Sequence, residues 1–298
     1  MNYPEKLSLA RLPSPIMKLE RLSERIDKNL WVWRDDLTGF VESGNKIRKL
    51  EFLLAEAIRQ RASFLVTCGG PQSNHARATV CLARRLGLTV RVLIREPKEG
   101  LDQQASPNDN YLIDHIFGAE MKLIPFADYQ AHGASYASFL ADEIEELKHT
   151  GERPYAIPEG GSCPLGTFGY IAAVKEMLPI WQQQGPGTKA PDNLFCALGS
   201  GGTLAGLVLG YMEQGLPYET IHAINVCDSA AYFQERVGLL LQETSEQFHL
   251  QHPAGNLSIM DGHFGRGYAL AEDSDLQFYA KLAQEEGLAS SMYYWNWS

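Results

Sequence analysis

The sequence predicts an α/β protein with mostly parallel sheets. Three observations carry that prediction. From Ser63 onward, short apolar runs alternate with amphipathic helical stretches almost without interruption. The run Leu194 to Leu198 is wholly apolar, as expected of a strand in a parallel sheet covered on both faces. Several apolar runs end in glycine-bearing turns that open a helix, as in Gly69-Gly70-Pro71 and Gly199-Ser200-Gly201-Gly202.

Taken in order, the first ~30 residues are polar with scattered prolines, and Leu30 to Asp36 reads as a strand. Ser43-Gly44-Asn45 is turn-prone and leads into a helix running to about Gln60, with Leu50, Leu53, Leu54 and Ala57 on one face. Ser63 to Cys68 is a strand, followed by a helix from about Gln72 to Leu86. Val90 to Arg95 is a strand, and a longer loop holds Pro97, Gly100 and Pro107. Asn110 to Phe117 is a helix closed by Gly118, because glycine accepts the left-handed conformation after a last turn. Glu120 to Pro125 is a strand, Tyr136 to Lys148 an amphipathic helix, and Tyr155 to Pro158 a short strand ending in Glu159-Gly160-Gly161-Ser162. A helix from about Leu165 to Trp181 precedes a Gln, Gly and Pro-rich surface loop. After the strand Leu194 to Leu198 come a small-residue helix (Leu204 to Met212), a strand (Ile221 to Val226), and helices at Ala230 to Phe248 and Leu276 to Glu286. No internal repeat or low-complexity tract interrupts the pattern.

Composition narrows the function. The chain has 298 residues and a formal net charge of −10 with no basic block, which excludes a nucleic-acid-binding face. Apolar runs are too short to span a bilayer, and the N-terminus lacks the charged-then-apolar pattern of a signal peptide, so a cytoplasmic protein is expected. The five cysteines stand singly without C-x-x-C spacing. They suggest neither a zinc site nor a disulfide framework, and read as small core residues in a reducing compartment.

Lys46 stands at the start of its helix, where the positive end of the helix dipole disfavours a cation. A lysine held there loses its proton more readily and becomes a nucleophile. Alone, Lys46, Arg48 and Lys49 also read as a solvated basic face. Gly199-Ser200-Gly201-Gly202-Thr203 joins an apolar strand to a helix. Its glycines and helix N-terminus suit a phosphate, with hydroxyls from Ser200 and Thr203. The turn is neither a P-loop nor a dinucleotide fingerprint, and close strand-to-helix packing is its other reading. Gln72-Ser73-Asn74-His75 follows another strand and glycine turn. Ser73 suits a helix N-cap, and the same geometry offers donors to a substrate carboxylate. His75 reads equally as a surface or a site residue. Gly160-Gly161-Ser162 with Leu165-Gly166-Thr167 is either a hinge or a loop against a ligand. A phosphate cradle, an activatable lysine and an anion site together suit pyridoxal phosphate bound as a Schiff base.

The motifs Gly44-Asn45-Lys46-x-Arg48-Lys49-Leu50-Glu51, Gln72-Ser73-Asn74-His75, Gly160-Gly161-Ser162-x-x-Leu165-Gly166 and Gly199-Ser200-Gly201-Gly202-Thr203-x-Ala205-Gly206-Leu207 occur in this order. In this the chain resembles the D-cysteine desulfhydrase and 1-aminocyclopropane-1-carboxylate (ACC) deaminase family, over roughly residues 8 to 287. These are pyridoxal-phosphate enzymes of the tryptophan-synthase-β type, fold type II. The resemblance implies two open, twisted, mostly parallel sheets flanked by helices, usually in a homodimer, with the cofactor between two domains. It implies a large cofactor-binding domain of residues 1–51 and 163–298 and a small substrate-side domain of residues 52–162.

Position by position, the resemblance makes Lys46 the Schiff-base lysine and Gly199, Ser200, Gly201, Gly202 and Thr203 the phosphate cup. Asn45 and Asn74 flank the cofactor ring. Gln72, Ser73, Asn74, His75 and Gly161 serve the substrate, with Ser73 also a candidate for proton work. Tyr268 matches the tyrosine of the family's Y-G-L/V-P segment, with Ala269 and Ala271 in place of its glycine and proline. The C-terminus departs from the family's E-G-x-x-x-D-P-V-Y-[TE]-G-K. Counting from Gly287 puts Tyr294 at the active-site tyrosine and Trp295 where the family has threonine or glutamate near the pyridine nitrogen. Tryptophan supplies neither a hydroxyl nor a carboxylate there, and a shortened tail would uncover the large-domain sheet. The reading that follows is α,β-elimination of D-cysteine to pyruvate, ammonia and hydrogen sulfide, since the family's desulfhydrases tend to carry histidine at position 75 and its ACC deaminases glutamine. ACC deamination is the alternative, and a degenerate, non-catalytic pyridoxal-phosphate-binding protein a further one. No metal, nucleic acid or membrane partner is expected.

Overall fold

The computed structural model describes residues 3–98, 100, 107–263 and 272–288. In chain order the elements are β1 (Ile16–Lys18), α1 (Glu20–Ile26), β2 (Trp31–Trp33), α2 (Asn45–Arg59), β3 (Phe64–Gly69), α3 (Asn74–Arg85), β4 (Thr89–Arg95), α4 (Asp109–Ile116), β5 (Glu120–Ile124), α5 (Phe126–Ala131), α6 (Ala137–His149), β6 (Pro154–Ala156), α7 (Pro164–Gln184), β7 (Leu194–Leu198), α8 (Gly202–Glu213), β8 (Ile221–Asn225), α9 (Ala230–Phe248), β9 (Ser258–Met260) and α10 (Asp273–Glu286). The backbone divides into two compact units, one of Arg11–Gly39 with Thr167–Ser298 and one of Asn2–Ala10 with Phe40–Gly166.

In the second unit four parallel strands lie in the order β5-β4-β3-β6, with Val66 level with Val92's neighbour Arg91 and with Ala156. Both faces are covered. Leu65, Val90, Val92 and Ile94 meet Ile47, Leu50, Leu53, Leu54 and Ala57 of α2 and Ala76, Val80 and Ala83 of α3. Phe64, Val66, Cys68 and Leu93 meet Tyr129 of α5, Tyr136 at the N-cap of α6, and Leu140 and Leu147 of α6. The predicted apolar stripe of α2 is thus a core face, and α2 packs within this unit. Glu51, the last residue of the lysine motif, is also buried: its carboxylate accepts from Leu9 N (2.8 Å), Ala10 N (2.9 Å) and Lys6 Nζ (2.6 Å), pinning the N-terminal segment to α2.

In the first unit β7, β8 and β9 form a parallel sheet in that order, and β1 pairs antiparallel with β2. α7 and α8 approach closely because Gly206 and Gly210 present no side chain. A Cβ on Gly206 would lie 2.5 Å from Thr167 O, and one on Gly210 would lie 2.8 Å from Val174 Cγ2. The β1–β2 hairpin is held through Ser14, which accepts from Trp33 Nε1 at 2.7 Å, and through Asp35, which accepts from Tyr170.

Three expectations are corrected here. β7 is covered on one face only among the described residues: its pattern alternates, and Phe195 is 60% exposed. An apolar run records what a strand tolerates on each face; α8 supplies the cover on one. The cysteines are not all core residues: Cys68 and Cys81 are buried, Cys163 and Cys196 half-buried and Cys227 exposed. Finally, β1, α1, α5 and β9 were not anticipated. β1 and β9 are three-residue strands, α1 buries Ser23 alone and α5 buries Tyr129 alone, so none of the four leaves a periodic apolar signal.

Candidate functional site

Gly44 caps α2 with φ +115°, a conformation L side chains rarely adopt, and the helix begins at Asn45. Lys46 lies in its first turn and donates from Nζ to Asn45 Oδ1 at 3.0 Å. Its amine is lowered to about 8, first by burial, then by the Arg77 cation, with Glu159 acting against both. The direction matches the sequence argument, but the leading cause is desolvation rather than the helix dipole. The solvated basic face is excluded: Arg48 and Lys49 are buried, and Lys49 Nζ donates to Gly160 O at 3.1 Å and lies 3.5 Å from Ser162 Oγ.

Ser73 is the N-cap of α3, and its Oγ accepts from Ala76 N at 3.1 Å. Gly69 makes room for it, since a Cβ there would sit 2.6 Å from Ser73 Oγ. His75 is buried, not a surface residue, and its Nε2 lies 2.9 Å from Thr67 Oγ1, which donates to Ile157 O at 3.0 Å. Burial first, then the Lys46 and Lys49 cations, hold the imidazole well below its usual range, so it is neutral at pH 7. Gly161, at φ +61°, presses against the same residues. A Cβ there would lie 3.2 Å from Leu53 Cδ1, 3.5 Å from Lys49 Cβ and 3.7 Å from His75 Cε1. Gly166 backs it: a Cβ at 166 would lie 2.0 Å from Gly161 O. The small-residue junction is therefore a loop seated against α2 and α3.

The second unit thus brings together Asn45, Lys46, Gln72, Ser73, Asn74, His75 and Gly161. It adds residues the sequence reading passed over: Thr67, Arg77, Asn110, Asp114 and Glu159. Asn110 Nδ2 donates to Gln72 O (3.0 Å) and Asn74 Oδ1 (2.9 Å), and Arg77 Nη2 donates to Ser43 O (2.8 Å). Only tertiary packing reveals them, because Asn110 lies 36 positions beyond Asn74 in a loop-to-helix junction with no motif of its own.

In the first unit Gly199 to Thr203 joins β7 to α8. Gly201 is the N-cap at φ +88°, and a Cβ on it would lie 3.0 Å from Val237 Cγ2. The first turn of α8 carries no acidic side chain to compete with an anion. A glycine backbone at a helix N-terminus flanked by Ser200 and Thr203 suits a phosphate, and an amine lowered to about 8 suits an aldehyde. Each feature, within its own unit, therefore fits the part of pyridoxal phosphate it would hold. Tyr268 and Tyr294, with Trp295, lie outside the described residues. Among the described residues there is no cluster of metal-ligating side chains, and no helix is long and apolar enough to cross a membrane.

Comparison with known proteins agrees. The family described as "Pyridoxal-phosphate dependent enzyme" matches residues 7–293. The chain belongs to this pyridoxal-phosphate-dependent family. Within it, the chain is 37% identical over 282 residues to a bifunctional D-cysteine desulfhydrase/1-aminocyclopropane-1-carboxylate deaminase of Arabidopsis thaliana, covering 94% of this chain and 68% of that one. Identity is 37% to a putative 1-aminocyclopropane-1-carboxylate deaminase of Thermotoga maritima (95% and 86% covered) and 34% to a D-cysteine desulfhydrase of Klebsiella pneumoniae (95% and 83%). The crystal structure of an ACC deaminase homologue superposes with a TM-score of 0.82 at 29% identity, covering 99% of this chain and 85% of that one. A fungal L-serine ammonia-lyase shares the fold at a TM-score of 0.61 and 15% identity. The fold is thus fold type II, and the family uses pyridoxal phosphate.

Proposed function

We propose that the chain is a lyase that converts D-cysteine and water to pyruvate, ammonia and hydrogen sulfide. The observation that carries this reading is the lysine amine lowered to about 8 in the first turn of α2, beside the neutral, buried His75. When bound, pyridoxal phosphate supplies an electron sink for the pair left as the substrate's α-proton departs, which lets the β-thiol leave. Lys46 Nζ would hold the cofactor through its aldehyde carbon, and as a free amine, lowered to about 8, it would be partly unprotonated near neutral pH and placed to take the α-proton. Gly199, Ser200, Gly201, Gly202 and Thr203 hold the phosphate with backbone N–H groups and two hydroxyls. Asn45 and Asn74 orient the ring. Gln72, Ser73, Asn74, His75 and Gly161 receive the substrate, with the start of α3 as the carboxylate anchor, while Tyr268 and Tyr294 complete the catalytic set.

The first unit is then the cofactor-phosphate side, and the second carries Lys46 and the substrate turn. As part of the same reading the protein is cytoplasmic, on the strength of its singly spaced cysteines, and a homodimer, on the strength of the family resemblance; light scattering on the purified protein tests the assembly. The desulfhydrase reading is ordered first because of His75. ACC deamination stands second, supported by 37% identity to the Thermotoga maritima relative. Offering both substrates decides. Sulfide and pyruvate from D-cysteine support the ordering; 2-oxobutanoate and ammonia from ACC, with no sulfide from D-cysteine, overturn it.

A further inference from the structure

We infer that Asn110 and Arg77 are positioning residues that fix the Gln72–Ser73–Asn74 turn against the chain entering the Lys46 helix, and so set the direction of the Asn74 amide. The inference rests on the proposed roles of Lys46 and Asn74, and its test is separable from them.

Asn110 is buried at the second residue of α4 and makes three hydrogen bonds to the turn. Its N–H donates to Gln72 Oε1 at 3.0 Å, and its Nδ2 donates to Gln72 O at 3.0 Å and Asn74 Oδ1 at 2.9 Å. Its Oδ1 faces Arg77 Nη1 at 3.5 Å. That arrangement fixes the Asn110 amide. Turned over, it would set its NH2 against a guanidinium and its oxygen against two oxygens. The Asn74 amide is fixed in turn. Its oxygen is engaged by Asn110, so its NH2, a donor, faces away from α4. The other end of Arg77 donates from Nη2 to Ser43 O at 2.8 Å, three residues before Lys46. One planar fork therefore ties Asn110 to the turn that opens α2, a geometry lysine cannot reproduce from a single ammonium.

Arg77 has a second effect, through charge. Asp114, one turn along α4 from Asn110, is fully buried, and its oxygens have no hydrogen-bond partner among the described residues. Burial raises its carboxyl to about 8 against the pull of Arg77, so near pH 7 it is mostly neutral. Among the described residues the groups facing Lys46 are Arg77 and His75 from α3 and Glu159 from the Glu159–Gly161 turn, with Lys49 on its own helix acting on the same imidazole. Arg77 depresses the Lys46 amine, and Glu159 opposes it.

The test uses the full chain and separates geometry from charge. In the cofactor-free protein, trinitrobenzenesulfonate labelling of Lys46 is followed against pH by peptide mass spectrometry, and backbone hydrogen exchange is read over residues 72–76. Circular dichroism confirms folding. Arg77→Lys keeps the charge and is expected to leave the labelling midpoint near 8, while exchange in the turn accelerates about fivefold or more, as for a lost buried hydrogen bond. Arg77→Gln moves the midpoint upward. Asn110→Ala accelerates exchange like Arg77→Lys without moving the midpoint. In the loaded enzyme, Asn110→Ala and Arg77→Lys raise KM for D-cysteine about tenfold with a smaller effect on kcat. Unchanged exchange and KM in both folded variants would overturn the inference. Failure of the wild type to release sulfide would sink the proposed function alone, because labelling and exchange still judge the positioning.

Discussion

Glu51→Ala removes the side-chain bonds between α2 and the N-terminal segment while leaving the Leu7 N bond to Glu51 O at 3.0 Å, and its cost can be worked from the bonds it removes. Glu51 is 1% exposed, and one of its oxygens accepts from both Leu9 N and Ala10 N, at 2.8 and 2.9 Å. Bonds of backbone N–H groups to a carboxylate are worth about 1.5–3 kcal/mol each. The pair shares one acceptor, and residues 6–10 can recover water by lifting away, which pulls the total toward the lower end of their sum. The ion pair with Lys6 at 2.6 Å adds little, since the Lys6 side chain is 39% exposed. The truncation should therefore cost about 2–4 kcal/mol. Glu51→Gln keeps a carbonyl at the Leu9 and Ala10 end and loses only charge, for about 1 kcal/mol. Urea unfolding of the second unit, with limited proteolysis of residues 3–10, measures both. A Glu51→Ala protein within about 0.5 kcal/mol of wild type, or equal to Glu51→Gln, would refute the reasoning.

Other perturbations give further outcomes. Lys46→Met should stabilise the cofactor-free protein at pH 7, because an amine ordinarily at 10.5 and held at about 8 makes the charged form a burden in the fold; the advantage is full below pH 8 and disappears as pH rises to 10.5. Unfolding midpoints across that range check the sign. Gly201→Ala must place a side chain at φ +88° and 3.0 Å from Val237 Cγ2, which costs about 1–2 kcal/mol for the conformation alone, and equilibrium dialysis should show weaker retention of pyridoxal phosphate. Gly161→Ala meets Leu53 Cδ1 at 3.2 Å and should raise KM for D-cysteine while leaving cofactor retention nearly intact. Ser73→Ala removes the cap on α3, for about 1 kcal/mol of stability by thermal unfolding, and a fall in kcat much larger than tenfold would assign the hydroxyl a part in the chemistry beyond capping.

Much of this molecule can be read in its chain. Leu50, Leu53, Leu54 and Ala57 announce the buried stripe of α2 through their spacing, and the glycines before α8 announce the strand-to-helix turn in which Gly201 takes φ +88°. Local signals end there. Lys46 was located by its place at a helix start, but the cause of its lowered amine is burial and the Arg77 charge, both products of tertiary packing. His75 looked as much like a surface residue as a site residue until Thr67 and Gly161 closed around it. Asn110 has no sequence signal of a site, since an asparagine at the start of a helix is ordinary until its three bonds to the Gln72 turn are seen. Phe195 marks the opposite case: a wholly apolar run implies cover on both faces, yet one of its residues is 60% exposed.

The central claim is that Lys46, and not its buried neighbour Lys49, carries pyridoxal phosphate. Loading the protein with the cofactor, reducing with borohydride, digesting and locating the phosphopyridoxyl mass by peptide sequencing tests it directly. The account predicts that mass on Lys46 in the wild type and its loss in Lys46→Ala. The mass on Lys49, or an Lys46→Ala protein labelled as fully as the wild type, would contradict it.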